Sequence, residues 1–213
     1  MASPQAKRRR AAILAAGIAG YGRLAGPDEE ATLARLRLLR QRVIDPAIGA
    51  HRGHIVNATG DGLLVKFSSA VDAVRCALVI QRAVDEHEAD MPHARLIFFR
   101  IAIHVGDVIV GADGDLMDDG VSIAARLARI TEPGGISLSQ AAYDQVRGKL
   151  DLAVRDQGPQ RLRDIAEPVQ VFAIDRSYSA HSMRQFGSRV LKAALAGAVA
   201  IAAIVAGALW LLQ

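Results

Sequence analysis

Apolar and polar positions alternate along the chain in a way that marks out its elements. Ala11 to Ile18 is a short apolar run that reads as a first strand, and a glycine-containing loop follows it. Asp28-Glu29-Glu30 then opens a helix that runs to about Ala50. Acidic residues suit its first turn, and Leu33, Leu36, Leu39 and Val43 repeat at helical spacing. His54–Ala58 and Leu63–Phe67 are short β-like runs around Thr59-Gly60-Asp61-Gly62, and an Asp-Gly between two such runs predicts a hairpin. Ser69–Ala89 reads as a helix. Ile97–Val110 is the clearest strand, with Ile97, Phe99, Ile101, Ile103 and Val105 along one side. Gly111 to Gly114 turns the chain, and Val121–Ile130 is helical. Pro133-Gly134-Gly135 ends that helix before a strand at Ile136–Leu138. The order β-α-β-β-α-β predicts an α+β, ferredoxin-like domain with an antiparallel sheet.

The last stretch breaks this pattern. Ala193–Gln213 has no ionisable side chain and is mostly Ala, Val, Ile and Leu. As a helix it would span about 31 Å, enough for a hydrocarbon core of roughly 30 Å. The expected organisation is therefore a tail at 1–7, a globular domain at 8–175, a polar linker at 176–189 and a transmembrane helix at 190–213. Arg184, Arg189 and Lys192 precede the apolar run, which keeps the domain cytoplasmic and the chain in the plasma (inner) membrane as a single-pass, C-terminal anchor. Trp210 suits an interfacial position, and Ala203 and Gly207 have the spacing of small-residue helix pairing. At the other end, the apolar run at Ala11–Ile18 is too short for a signal peptide.

Composition narrows the function. The formal charge of +4 comes from Lys7–Arg10 and from Arg35, Arg37, Arg40 and Arg42 on the predicted helix. Neither cluster interleaves aromatics for base stacking, so a solvated helix face is expected and no nucleic-acid partner. The single cysteine, Cys76, excludes a disulfide framework and reads as a buried small residue. The six histidines form no metal set. His51 and His54 flank a predicted loop as an exposed pair, and His104 reads as sheet packing.

Five stretches occur in register on this frame: ILAAGIAGYGRL, IVNATGDGLLVKF, FRIAIHVGDVIVG, DDGVSIAARL and EPGGISLS. Together they resemble the class III adenylyl and guanylyl cyclase catalytic domain over residues 8–175. The resemblance implies attack of a nucleoside triphosphate's 3′-hydroxyl on its own α-phosphorus, with release of pyrophosphate. It also implies two metal ions held by two aspartates of one subunit. A head-to-tail partner supplies a base-selecting pair, an asparagine and an arginine.

Carried onto this chain, Asp61 matches the second metal aspartate, flanked by Gly60 and Gly62, which let a phosphate approach the backbone. Outside the resemblance it reads as a turn aspartate bonding its own backbone. Gly17 occupies the position of the other metal aspartate and offers no ligand. Magnesium or manganese is the implied ion, held weakly if at all, because hard cations need oxygen donors in fixed geometry. Asn57 stands where adenylyl cyclases carry an adenine-reading lysine. Asp115 matches its acidic partner, although Asp113, Asp118 and Asp119 crowd the same loop. Ser122 replaces the ribose-orienting asparagine, while Arg126 retains the arginine that stabilises charge on the transferred phosphate.

The two half-sites are thus both incomplete. A homodimer would combine both defects, and a heterodimer with an intact cyclase domain would mend one half of each site. The expected function is a membrane-anchored cyclase-like signalling protein, weak or inactive in cyclic nucleotide synthesis, acting by dimerisation or by binding a nucleoside triphosphate, ATP rather than GTP. The alternatives are an active adenylate cyclase that tolerates these replacements and a scaffold that no longer binds nucleotide.

Overall fold

The computed structural model describes residues 7–92, 95–110, 116–117 and 119–175. The chain divides into two compact units, residues 1–175 and 176–213. The expected linker and membrane helix lie outside the described residues, as does Asp115. Among the described residues no helix is long and apolar enough to cross a membrane.

Among the described residues eight strands form one sheet: seven lie side by side in the order β2 (His54–Ala58), β3 (Gly62–Phe67), β1 (Lys7–Ile18), β4 (Phe99–Val110), β6 (Ile136–Ser139), β8 (Val169–Ile174) and β7 (Val154–Gln160), and the eighth pairs with β4 off this path. Its centre is β1 (Lys7–Ile18), which pairs antiparallel with β3 (Gly62–Phe67) on one side and β4 (Phe99–Val110) on the other. β2 (His54–Ala58) is the outer partner of β3, and the two-residue β5 (Leu116–Met117) folds back on β4. The sheet is not antiparallel throughout: β4 and β6 (Ile136–Ser139) pair in parallel, Ile101 opposite Ile136. The intervening helix α5 (Asp119–Ile130) is the cause, because a helical crossover returns the chain in the direction it left.

Beyond β6 come three elements that the hydrophobic pattern does not announce. They are α6 (Gln140–Val146), β7 (Val154–Gln160) and β8 (Val169–Ile174). The segment VRDQGPQ of β7 lacks alternation and contains Pro159, which a strand tolerates at a sheet edge, where β7 lies.

Both faces of β1 are covered. Ala11, Ile13 and Ala15 pack in one cluster with Ala124, Leu127 and Ala128 of α5, while Ala12, Leu14 and Ala16 point to the other face and are also buried. Gly17 continues the row that faces α5. On the second layer, α4 (Ala70–Glu88) starts at Ser69, whose hydroxyl accepts from the Asp72 amide, and buries Cys76 completely. Burial pushes the Cys76 thiol up to about 12. Near the end of α4, Gln81 donates to the carbonyls of Phe99 and Gly135, tying the helix to the start of β4.

The helix expected between Asp28 and Ala50 is continuous but not uniform. After a short α1 (Tyr21–Ala25), α2 (Glu29–Leu39) passes through a π-helical turn at Arg40–Ile44 into α3 (Asp45–Ala50). Asp28 caps α2 by accepting from the Ala31 amide at 2.9 Å. Arg37 and Arg42 are exposed, as expected of a solvated face, whereas Arg35 and Arg40 are not. Arg35 reaches the buried carboxylate of Glu88 at 2.7 Å, and the Nε of Arg40 is buried.

Candidate functional site

One cavity of about 300 Å³ opens where β1 ends and β3 begins, beneath α5. Gly17, Asn57, Asp61, Arg100 and Arg129 line it. The β2–β3 turn closes on itself, the Thr59 amide donating to the Gly62 carbonyl at 2.9 Å. It is pinned to β1 by the Ile18 amide, which donates to the Asp61 carbonyl at 3.0 Å. That bond fixes Asp61 beside residue 17, so the two positions expected to share ions are neighbours in space. A Cβ placed on Gly17 would meet only the Asp61 carbonyl oxygen, at 3.8 Å, an ordinary contact. The backbone there is extended strand and does not require glycine.

The electrostatics of this cavity differ from those of a cation site. Asp61 is its one acidic side chain, exposed and without a partner among the described residues. Two arginines line the same cavity. Arg100 stands opposite Gly17 in the β1–β4 ladder, and its Nη1 donates to the Arg129 carbonyl at 2.8 Å. Its Nε is buried with no partner. No group of three or more His, Cys, Asp or Glu among the described residues comes together to hold a metal. One carboxylate in a wall shared with two arginines does not fit a pair of divalent cations, which need several oxygen donors each. The donor set suits an oxyanion instead.

A second cavity, of about 410 Å³, lies on the other flank of α5. Ser122 and Arg126, one helical turn apart, face it together with Arg161, Arg163 and Asp164 from the β7–β8 loop. The Nη2 of Arg126 is 3.3 Å from Asp164 Oδ2. Ala125 and Arg129 border both cavities, so α5 is their common wall.

Within one protomer the expected site residues fall into two groups. Asn57 and Gly62 share the first cavity with Gly17 and Asp61 within one protomer, while Ser122 and Arg126 line the second. Gly60 sits exposed at the tip of the turn. Arg100, Arg129 and Asp164 were absent from the sequence reading. A signal for Arg100 exists in the sequence: it is the one formally charged residue between Phe99 and Val105 in an otherwise apolar strand.

His104 lies two strand positions beyond Ala102 on the same row, but it borders neither cavity. Its Nδ1 is 2.9 Å from the Ser139 hydroxyl, which also accepts from the Ala142 amide at the start of α6. A Cβ at residue 106 would come within 2.8 Å of the ring's Nε2, so Gly106 leaves the space that the imidazole fills. Burial, reinforced by the positive charge of Arg10, lowers its pKa to about 4. His51 is also held below the usual histidine range, chiefly by burial, and is half-buried rather than exposed.

No protein-family model matches the chain. Comparison with solved structures finds the adenylate/guanylate cyclase/hydrolase from Silicibacter pomeroyi, 42% identical with a TM-score of 0.73; the match covers 79% of this chain and 98% of that one. The adenylyl cyclase CyaB from P. aeruginosa superimposes with a TM-score of 0.70 over 79% of this chain and 95% of its own, at 21% identity, a likeness of fold. Among sequences, putative adenylate cyclase 3 of Rhizobium meliloti (strain 1021) is 40% identical over 172 residues, or 81% of this chain. The matched region is 29% of the length of that relative.

Proposed function

This chain belongs to the class III adenylate and guanylate cyclase catalytic-domain family, and from that premise we propose that it is a membrane-anchored, cyclase-like signalling protein that binds a nucleoside triphosphate, ATP rather than GTP, and makes cyclic nucleotide weakly or not at all. The observation that carries this reading is the first cavity, where among the described residues Asp61 is the one carboxylate and Arg100 and Arg129 line the same walls. Guanidinium groups can hold an oligophosphate without metal. They do not lower the pKa of a 3′-hydroxyl as a coordinated cation does.

On this reading Asn57 offers a base edge one donor and one acceptor without charge. Ser122 gives the ribose a single, shorter-stemmed hydrogen bond, and Arg126 meets negative charge on a phosphate. Losing one well-placed transition-state donor costs about 3 kcal/mol, roughly a hundredfold in rate. Dimerisation, with itself or with another cyclase domain, would set the two cavities of α5 against those of a partner. The apolar run at 190–213 supports anchorage in the plasma membrane with the domain on the cytoplasmic side.

A second reading, an active adenylate cyclase converting ATP to cyclic AMP and pyrophosphate, draws on the 42% and 40% identities to proteins named as cyclases. One assay separates the two. The purified full chain is given ATP or GTP with Mg²⁺ or Mn²⁺, while a fluorescent ATP analogue reports binding. Saturable binding with turnover far below the ordinary range of about 1–1000 per second is expected. Turnover within that range, abolished by Asp61→Ala, would favour the active enzyme; absence of saturable binding would leave only a scaffold.

A further inference from the structure

The loop that closes the second cavity carries an aspartate in an uncommon backbone conformation. Asp164 has φ +55°, in the left-handed region that few residues other than glycine enter, aspartate and asparagine being among the readier. The loop is anchored on either side of it. Leu162 is buried in the core cluster shared with α5, and the Ile165 amide donates back to the Leu162 carbonyl at 3.2 Å. This tight turn sets Asp164 over α5. Its Oδ2 lies 3.3 Å from Arg126 Nη2 and 3.6 Å from Arg163 Nε. Arg129 and Arg161 also line the cavity, and among the described residues Asp164 is its one carboxylate. Carboxylate and phosphate oxygens present the same kind of acceptor to a guanidinium.

We propose that Asp164 is an internal counter-anion, holding Arg126 and Arg163 as a phosphate oxygen would, so that an incoming oligophosphate must displace it in order to bind. The proposal rests on the nucleotide-binding reading, in which Arg126 meets a phosphate. Asp164 thus sets how tightly the anion is held. It weakens binding through competition for the guanidinium groups and through its negative charge at the cavity mouth. Both partners of the latch reach solvent, so it is loose, and removing it should strengthen anion binding by up to about fivefold.

The test is calorimetric titration of the full 213-residue chain with inorganic triphosphate in EDTA, comparing the wild type with Asp164→Asn and Asp164→Gly. Asparagine keeps the shape without the charge, and glycine adopts the positive φ freely, so the second variant guards against misfolding. Glu167→Gln, an exposed carboxylate of the same loop, controls for net charge. Both Asp164 variants should bind up to about fivefold tighter than the wild type. The gain should exceed that of Glu167→Gln, shrink as salt rises, and vanish when Arg126→Ala is added. Equal affinity in the wild type and Asp164→Asn would overturn the latch alone. Absence of binding by every variant would overturn both the latch and the nucleotide-binding reading.

Discussion

Gly17 and Arg100 stand directly opposite each other in the β1–β4 ladder, at the floor of the first cavity. Where a carboxylate is expected, β1 offers only backbone, and the neighbouring strand offers a guanidinium. Asp61, held beside residue 17 by the Ile18 amide, shares that cavity with Arg100 and Arg129. The pairing turns a wall suited to cations into one suited to anions.

Gly17→Asp should fold, because a Cβ there makes one ordinary contact and the strand is extended. It should place a second carboxylate within reach of the Asp61 turn. The expected outcome is a variant slightly less stable without metal, from like-charge repulsion, that gains several degrees of Tm from millimolar Mn²⁺ where the wild type gains little. Cyclic nucleotide output should rise by about tenfold or more, equivalent to ~1.4 kcal/mol of barrier. Thermal melts with and without Mn²⁺ check the first part and product assays the second; no metal-dependent shift would remove Gly17 as the cause of the deficit.

Arg100 combines a buried, unpaired Nε with a bond to the Arg129 carbonyl. Arg100→Met keeps the aliphatic stem, removes the orphan donor and gives up that one hydrogen bond. Each of these is worth about 1 kcal/mol with opposite sign. Stability by urea titration should therefore change by less than ~1 kcal/mol, whereas triphosphate affinity should fall about tenfold, as expected on losing a charge-assisted contact of ~1.5 kcal/mol. A large loss of stability with unchanged affinity would make Arg100 a structural residue.

The strands and helices around the first cavity were legible because their signals are local. The apolar row of β4, the Asp-Gly turn and the amphipathic α5 each sit within one short window of sequence. Joining these windows into five motifs in register located Gly17, Asn57, Asp61, Ser122 and Arg126. What remained hidden depends on tertiary neighbours. The parallel pairing of β4 with β6 arises from the α5 crossover, and β7 is polar because it is an edge. Arg35 read as solvated because Glu88, its partner, lies 53 residues further along the chain. Asp164 has meaning only where its loop meets α5.

Glu88 makes that last kind of contact testable. Its side chain is 4% exposed, and Oε2 accepts from Arg35 at 2.7 Å and from the Ile97 amide at 3.0 Å, joining α2, α4 and the approach to β4. Glu88→Ala leaves the Ile97 amide without its acceptor and Arg35 with only the Arg95 carbonyl, at 3.2 Å, and should cost about 2–4 kcal/mol, while Glu88→Gln keeps an acceptor oxygen and should cost about 1–2 kcal/mol. Urea unfolding at neutral pH separates the two. Equal costs would mean that the charge of Glu88 contributes nothing.

His104 adds a pH dependence to the stability of the fold. In the unfolded chain its imidazole takes up a proton near pH 6.5, whereas in the folded chain burial, then Arg10, lowers that event to about pH 4. Between these values the unfolded state binds more protons, so the folded state loses stability as pH falls. The contribution is whole above pH 6.5, declines below it, and levels off under pH 4, with a total loss of about 3 kcal/mol at most from a depression of this size. The fall is steepest near pH 5, where a one-unit step costs roughly 1.4 kcal/mol. His104→Asn removes the titrating group while keeping a side chain able to bond Ser139, so it should be less stable than the wild type at pH 7.5 yet show a flatter profile toward pH 4.5. Parallel pH profiles for the two proteins would mean that acid destabilisation originates elsewhere.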